Sequence, residues 1–212
     1  MLQKVKPTSA SRRQLIKLNS KSLNISKKPL LKSKIAGKKN SSGRNNSGKI
    51  TVFHKGGGVK QKYREINFNR KYNSTGIVCT IEHDPNRNAY ISSVFDFIDK
   101  TFYYILTPQN LRVGDIVKSG LKAAPTLGSS LPIANIPIGT PIHNIAPTLK
   151  SSGQISRSAG TFSIIKEKTE KYCIIELSSG EQRYVSPNCF ASIGEVSKEL
   201  FFLTRFGKAG QS

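Results

Sequence analysis

"GIVCTIEHDPNRNAYISSVF", residues 76–95, decides the fold, because two runs of β-branched and apolar residues flank a polar segment, "HDPNRN", that suits only a turn. Asp84 fits the first position of a type I turn and Pro85, with φ already set, the second. The reading is a hairpin with Arg87 thrown outward from a rigid loop. On either side, "ITVF", "YREINF" and "TFYYILT" repeat the pattern with turn formers between them. Five short strands at this spacing predict a small barrel over residues 49–123.

Further along, "LRVGDIVKSG" and a Pro- and Gly-rich stretch, residues 124–148, lead into a second β segment. There "TFSIIKE" and "KYCIIEL" are separated by a short polar turn, and "SSGE" joins the latter to "QRYV". A second small barrel or sandwich over 124–198 follows. The end of the chain, "GEVSKELFFLTRFGKAGQS", is the one candidate helix, and residues 199–212 are set apart as a C-terminal segment. Neither an internal repeat nor a coiled-coil heptad is present.

Charge divides the chain differently. The 212 residues carry a formal charge of +22, and an excess of that size repels itself unless a polyanion neutralises it. Residues 1–64 hold 18 Lys and Arg and no Asp or Glu, whereas the remainder is nearly balanced, with 16 basic against 12 acidic residues. Residues 1–48, without periodicity, therefore read as a basic extended arm that orders on its partner, and nucleic acid is the partner the charge implies. A merely solvated tail is the alternative.

Several classes are disfavoured. Cys79, Cys173 and Cys189 form no CxxC pair and no four-ligand zinc set, so free buried thiols in a reducing compartment are expected, with a single disulfide as the alternative. No stretch approaches 18 uncharged apolar residues, so no membrane span is expected. The N-terminus lacks a secretory core, although its basic, Ser-rich character mimics a mitochondrial presequence. His54, His83 and His143 lie in separate segments beside no nucleophile motif, and His83 and Asp84, adjacent in a strand, point to opposite faces. No catalytic residue, metal or cofactor is expected.

Two stretches suit RNA. In "GRNNSGKITVFHKGGG", residues 43–58, three glycines let the backbone come within hydrogen-bond distance of a phosphate or ribose. Lys55, Lys60, Tyr63 and Arg64 add charge and a stacking ring, and the spacing is not that of a nucleotide-binding loop. In "GQISRSAG", residues 153–160, Arg157 stands between serines, one of them Ser158, whose hydroxyls can donate to phosphate oxygens. Taken alone, each stretch reads equally well as a plain loop or turn.

Eight segments in order resemble the bacterial and organellar type of ribosomal protein L2: "KPTSASRR", "GRNNSGKITVFHKGGGVKQKYR", "EHDPNRNAYI", "YYILTPQNLRVGD", "NIPIGTPIHNI", "SGQISRSAGTF", "LSSGEQRYV" and "CFASIGEV". The resemblance spans nearly the whole chain. It implies an oligonucleotide-binding barrel followed by an SH3-like barrel, with the basic arm threaded into large-subunit rRNA near the peptidyl-transferase region. By segment match it places rRNA contacts on Arg12, Arg13, Arg44, Asn45, Asn46, His54, Lys55, Gly56, Gly57, Gly58, Lys60, Tyr63, Arg64, Arg87, Arg157 and Ser158. The implied role is a structural constituent of the large subunit that supports translation and subunit association, beside neighbouring ribosomal proteins.

Two departures matter. Family members continue past "GKAG" into a Gly-, Pro- and His-rich tail, and this sequence stops at Ser212, so the tail's histidine has no counterpart and a separate C-terminal half is a possible partner. In "LKSSGQISRSAG" a serine replaces a family glycine. Richness in Asn, Lys, Ile, Tyr and Phe, with only five residues before the family's start, favours a protein made inside a mitochondrion, with a plastid or bacterial cytoplasm as the alternative. A free RNA chaperone and an enzyme of nucleic-acid metabolism are the competing functions, the former disfavoured by 8% aromatic residues and no Trp.

Overall fold

The computed structural model describes residues 2–19, 25–26, 28–38 and 40–208. Its strands in chain order are β1 (Leu2–Lys4), β2 (Ile16–Leu18), β3 (Ile25–Ser26), β4 (Ile35–Lys38), β5 (Gln61–Arg64), β6 (Ser74–His83), β7 (Tyr90–Asp96) and β8 (Phe102–Leu106). They continue as β9 (Ile116–Ser119), β10 (Ser130–Pro132), β11 (Pro141–His143), β12 (Ser163–Lys168), β13 (Cys173–Leu177), β14 (Gln182–Val185) and β15 (Phe190–Ile193). One sheet runs β14-β13-β12-β11-β15-β10-β9-β6-β7-β8, with β3 parallel to β6. The chain is mainly β, an oligonucleotide-binding barrel followed by an SH3-like barrel, and the hydrogen-bonded path stays open.

The hairpin expected at 76–95 forms as β6 and β7, paired from Gly76↔Asp96 to His83↔Tyr90. A bulge at Cys79 inserts one extra residue between the Val78↔Val94 and Thr80↔Ser93 pairs. That shift puts Val78 and Ile81, three apart, on one face, where an unbroken strand would part them. β7 is buried on both faces: Tyr90 and Val94 join one cluster with Leu111 and Val117, while Ile91 joins another with Tyr104, Leu106 and Val196. The two serines between them are satisfied by hydroxyl partners, Ser92 to Thr107 and Ser93 to Thr80, each 2.7 Å apart.

The basic arm is not free-standing. β1 and β2 pair with each other, β3 lies on β6, and β4 pairs with β5. Leu31 is buried in the core beside Ile91, and its N–H donates to the Tyr104 hydroxyl. That hydroxyl in turn meets the buried Glu82 carboxyl, which also accepts the Leu30 N–H at 2.9 Å. Burial, with the Glu82 carboxyl beside it, pushes the Tyr104 pKa up to about 12. The arm's apolar residues are too widely spaced to show a period, yet Leu31 enters the core and Ile25 packs against it.

Four further expectations change. "ITVF" is not a strand: Ile50, Val52 and Phe53 are exposed on a loop, and "YREINF" contributes only β5 and an isolated bridge from Ile66 to Tyr104. Residues 124–148 are not a lead-in but supply β10, β11 and the fully buried Leu131, Ile133, Ile136, Ile142 and Ile145 of the second core. Their prolines and glycines bend a chain that is buried in runs, at 128–133, 136 and 142–146. The C-terminal helix shrinks to a 3-10 segment, Glu199–Leu203, with Lys198 in the left-handed region before it. The three cysteines are free, Cys173 and Cys189 buried and Cys79 half-buried on its bulge.

The two domains are sewn together. Gln109 N–H donates to Glu195 O at 2.7 Å, Ser197 N–H to Thr107 O at 2.9 Å, and Tyr90 N–H to the Ser197 hydroxyl at 2.9 Å. This seam holds the candidate site rigid.

Candidate nucleic-acid interface

The turn after β6 begins with Asp84, which is fully buried. Its Oδ1 accepts the Asn86 N–H at 2.9 Å, closing an Asx turn, and its Oδ2 accepts Arg87 Nε at 2.7 Å. Arg87 is therefore folded back instead of thrown outward, with its guanidinium carbon 5.7 Å from the Phe68 ring centroid. Arg64, also buried, faces the same carboxylate at 3.9 Å, so one buried anion positions two cations. His83 is exposed while Asp84 is buried, the opposite-face arrangement that rules out a dyad.

Arg157 reaches the same ring from the second domain, its guanidinium carbon 4.6 Å from the Phe68 centroid. The connection is fixed by backbone: Phe68 O accepts the Gly153 N–H at 3.2 Å and Asn144 Nδ2 at 3.3 Å, and Ile155 bridges to Ile145. Gly153 is required there, because a Cβ built on it would lie 2.5 Å from the Asn144 carbonyl oxygen.

Between the domains opens a cleft of about 710 Å³ that gathers Tyr63, Arg87, Arg157 and Ser158, four of the expected contacts, around Phe68. No carboxylate lines it. Asn86, Asn88, Gln154, Ser178 and Ser179 add amide and hydroxyl groups. Guanidinium planes held over an aromatic ring, with hydroxyls and amides around them, suit a phosphate and a stacked base together.

A second group lies on the loop between β4 and β5, whose residues 41–60 carry Arg44, Lys49, Lys55 and Lys60 and no acid. Asn45 is spent on the loop itself, its Oδ1 accepting from Ser47 and Lys49 N–H. Arg44, Asn46, His54, Lys55, Gly56, Gly57, Gly58 and Lys60 are exposed, and His54 has φ of 58°. Gly57 O accepts Asn40 Nδ2 at 2.8 Å, so the triglycine backbone is anchored at one point and open elsewhere. Asn86 ties this hairpin to the cleft: its Nδ2 donates to Lys62 O at 2.8 Å and its Oδ1 accepts Lys38 Nζ at 3.0 Å. Arg12 and Arg13 stand exposed beside the separate β1–β2 pair.

Sequence reasoning missed Phe68, hidden inside a run read as a strand, and Asn86, which stood in the quoted turn. The pattern of a lone aromatic ahead of "NRK" offered no signal for the former. Phe53, exposed on the cationic loop, was likewise read as a strand residue. His143 is buried with its Nδ1 2.8 Å from Gly194 O, a carbonyl that only accepts, so Nδ1 carries the proton. Burial lowers its pKa to about 4. Among the described residues no group of three or more His, Cys, Asp or Glu is placed to hold a metal.

Two open β barrels joined by a rigid seam, with stacked arginines in an acid-free cleft, define a structural protein of the RNA-binding class. Residues 31–119 match the family described as "Ribosomal Proteins L2, RNA binding N-terminal domain", and residues 126–212 match "Ribosomal Proteins L2, C-terminal domain". A relative in Alcanivorax borkumensis, named large ribosomal subunit protein uL2, is 44% identical over 210 residues, covering 98% of this chain and 75% of the relative. The chain belongs to the ribosomal protein L2 family, and its role is that of an RNA-binding structural constituent of the large ribosomal subunit.

Proposed function

We infer that the protein binds large-subunit rRNA through the cleft at the domain seam and the loop at 41–60, near the peptidyl-transferase region, and catalyses nothing itself. The observation that carries this is the stacking of Arg87 and Arg157 over Phe68 in a cleft with no carboxylate in its lining. Arg157, Arg87 and the loop lysines neutralise phosphates, Tyr63 and Phe68 offer stacking faces, and the exposed glycines let main chain approach the ribose-phosphate backbone. Arg64 acts differently: turned inward to Asp84, it positions the turn that carries Arg87.

The division into an arm (1–48), a first barrel (49–123), a second barrel (124–198) and a C-terminal segment belongs to this reading, with the arm as a further rRNA contact through Arg12 and Arg13. Partners are rRNA and neighbouring ribosomal proteins. The proposed location is the mitochondrial ribosome, supported by the Asn-, Lys- and Ile-rich composition. A bacterial cytoplasm is the second location, supported by the Alcanivorax relative.

Crosslinking of the protein to RNA in native extract, with sequencing of the attached fragments, tests the function. Crosslinks should concentrate at a few large-subunit rRNA sites and map to Arg157, Arg87 and the 41–60 loop. Scattered crosslinks to messenger RNA would instead indicate a free chaperone.

A further inference from the structure

Adjoining the RNA cleft, with Phe68 in the lining of both, lies a groove of different character. Its volume is about 610 Å³, and it runs between residues 65–70 on one wall and the start of β8 on the other. Three of the chain's 12 carboxylates line it, Glu65, Asp96 and Asp99, although the chain carries +22 overall. Glu65 is paired with Lys34 at 3.4 Å and the buried Asp96 accepts the Ile98 N–H at 2.9 Å, whereas Asp99 is exposed with no ion pair among the described residues. The cleft of the RNA site, by contrast, is lined by arginines and no acid.

Two further features mark the groove as built for an extended chain. The β7–β8 hairpin exposes an aromatic and apolar rim: Phe97, Ile98 and Phe102 are all at least 42% exposed, with Phe95 packed 4.8 Å from Phe102 and 5.7 Å from Phe97 between ring centroids. β8 ends the sheet path, and its outer edge is covered only where Tyr104 O accepts the Asn67 N–H at 2.9 Å. Phe102, two residues earlier, presents its N–H and C=O on that same edge, and no strand covers them among the described residues.

We propose that this groove docks an extended Lys- and Arg-rich segment of a neighbouring protein, paired with the free edge at Phe102, with a cation against Asp99 and its apolar side chains on Phe97 and Phe102. The proposal rests on the ribosomal reading, since a basic neighbour is what a ribosome supplies. Phosphate is the wrong occupant, because the exposed carboxylate of Asp99 would repel it. β-Strand addition accounts for the open edge, and Asp99 selects the charge of the partner.

The test uses assembled large subunits carrying the photocrosslinker p-benzoylphenylalanine at Phe97, with the same probe at Phe53 in a parallel preparation. The expected result is an adduct from position 97 to a Lys- and Arg-rich stretch of another protein, its yield falling at least about threefold with Asp99→Lys, as loss and reversal of one exposed charge pair implies. An adduct to rRNA, to this chain itself or to an acidic segment overturns the proposal. So does no adduct at 97 while position 53 crosslinks to rRNA, which leaves the RNA reading standing. If position 53 also fails to reach rRNA, both readings fall.

Discussion

Among the described residues Asp84 and Arg87 form the one close ion pair whose anion is wholly buried, with Nε 2.7 Å from Oδ2. The same carboxylate closes the turn through the Asn86 N–H and faces Arg64. A single buried side chain thus couples the hairpin's shape to the position of a cation at the RNA cleft.

Asp84→Asn separates these roles, because an amide oxygen still accepts the Asn86 N–H while the charge is gone. Arg64 would then be a buried cation without a counterion, and breaking a buried pair from one side costs about 3–5 kcal/mol. Thermal unfolding should show a clear fall in Tm, and binding to an rRNA fragment should weaken as Arg87 leaves Phe68. A variant as stable as wild type would show that Asp84 does not organise the turn.

Arg157→Lys keeps the charge but loses the planar stack on Phe68, and Arg157→Ala loses both. A guanidinium–aromatic contact is worth about 0.5–2 kcal/mol, so rRNA affinity should fall severalfold for the lysine variant and further for alanine, at unchanged Tm. Filter binding at fixed salt measures the order. Equal affinity of lysine and arginine forms would mean that charge alone acts at this position.

How legible was this architecture? The β6–β7 hairpin could be read because its alternation and turn chemistry are local, and "HDPNRN" names both the turn and the acid that stabilises it. Only the direction of Arg87 was misread, since nothing local says that Asp84 is buried deeply enough to hold it. Residues 124–148 look like a linker by composition, and their burial arises from partners distant in sequence: Leu131 against Ala191, Ile142 against Ile193. At the site, the basic residues were visible one by one. Their convergence on Phe68 was not, because Arg87 and Arg157 are 70 residues apart and meet only across the domain seam.

His143 gives the second domain an acid-sensitive point. Its folded pKa, about 4, lies below the ordinary value near 6.5, so the unfolded chain binds the proton more readily. Its contribution is complete above about pH 6.5 and is lost as pH falls towards 4, at up to about 1.4 kcal/mol per pH unit. Urea midpoints at several pH values, compared with His143→Asn, should show a flatter profile for the variant. An identical acid profile in the two proteins would place the sensitivity elsewhere.

Gly153→Ala tests the seam without touching charge. The added methyl would collide with the Asn144 backbone, and overpacking of this kind costs about 1–3 kcal/mol. Because the loop bearing Arg157 would have to shift, rRNA affinity should fall together with Tm. Loss of stability with wild-type affinity would separate the glycine's packing role from the positioning of Arg157.

Salt dependence distinguishes the mechanism as a whole. If the cleft and the 41–60 loop neutralise about six to ten phosphates, affinity for a large-subunit rRNA fragment should drop by about 10³ to 10⁵ between 50 and 200 mM salt. Arg157→Ala, removing one such contact, should lower the magnitude of the log–log slope by about one, and Asp99→Lys, in the acidic groove, should leave it unchanged. The two variants therefore move the slope differently if the cleft faces RNA and the adjoining groove faces protein. A slope near zero would mean that burial and hydrogen bonding, rather than charge, hold the RNA.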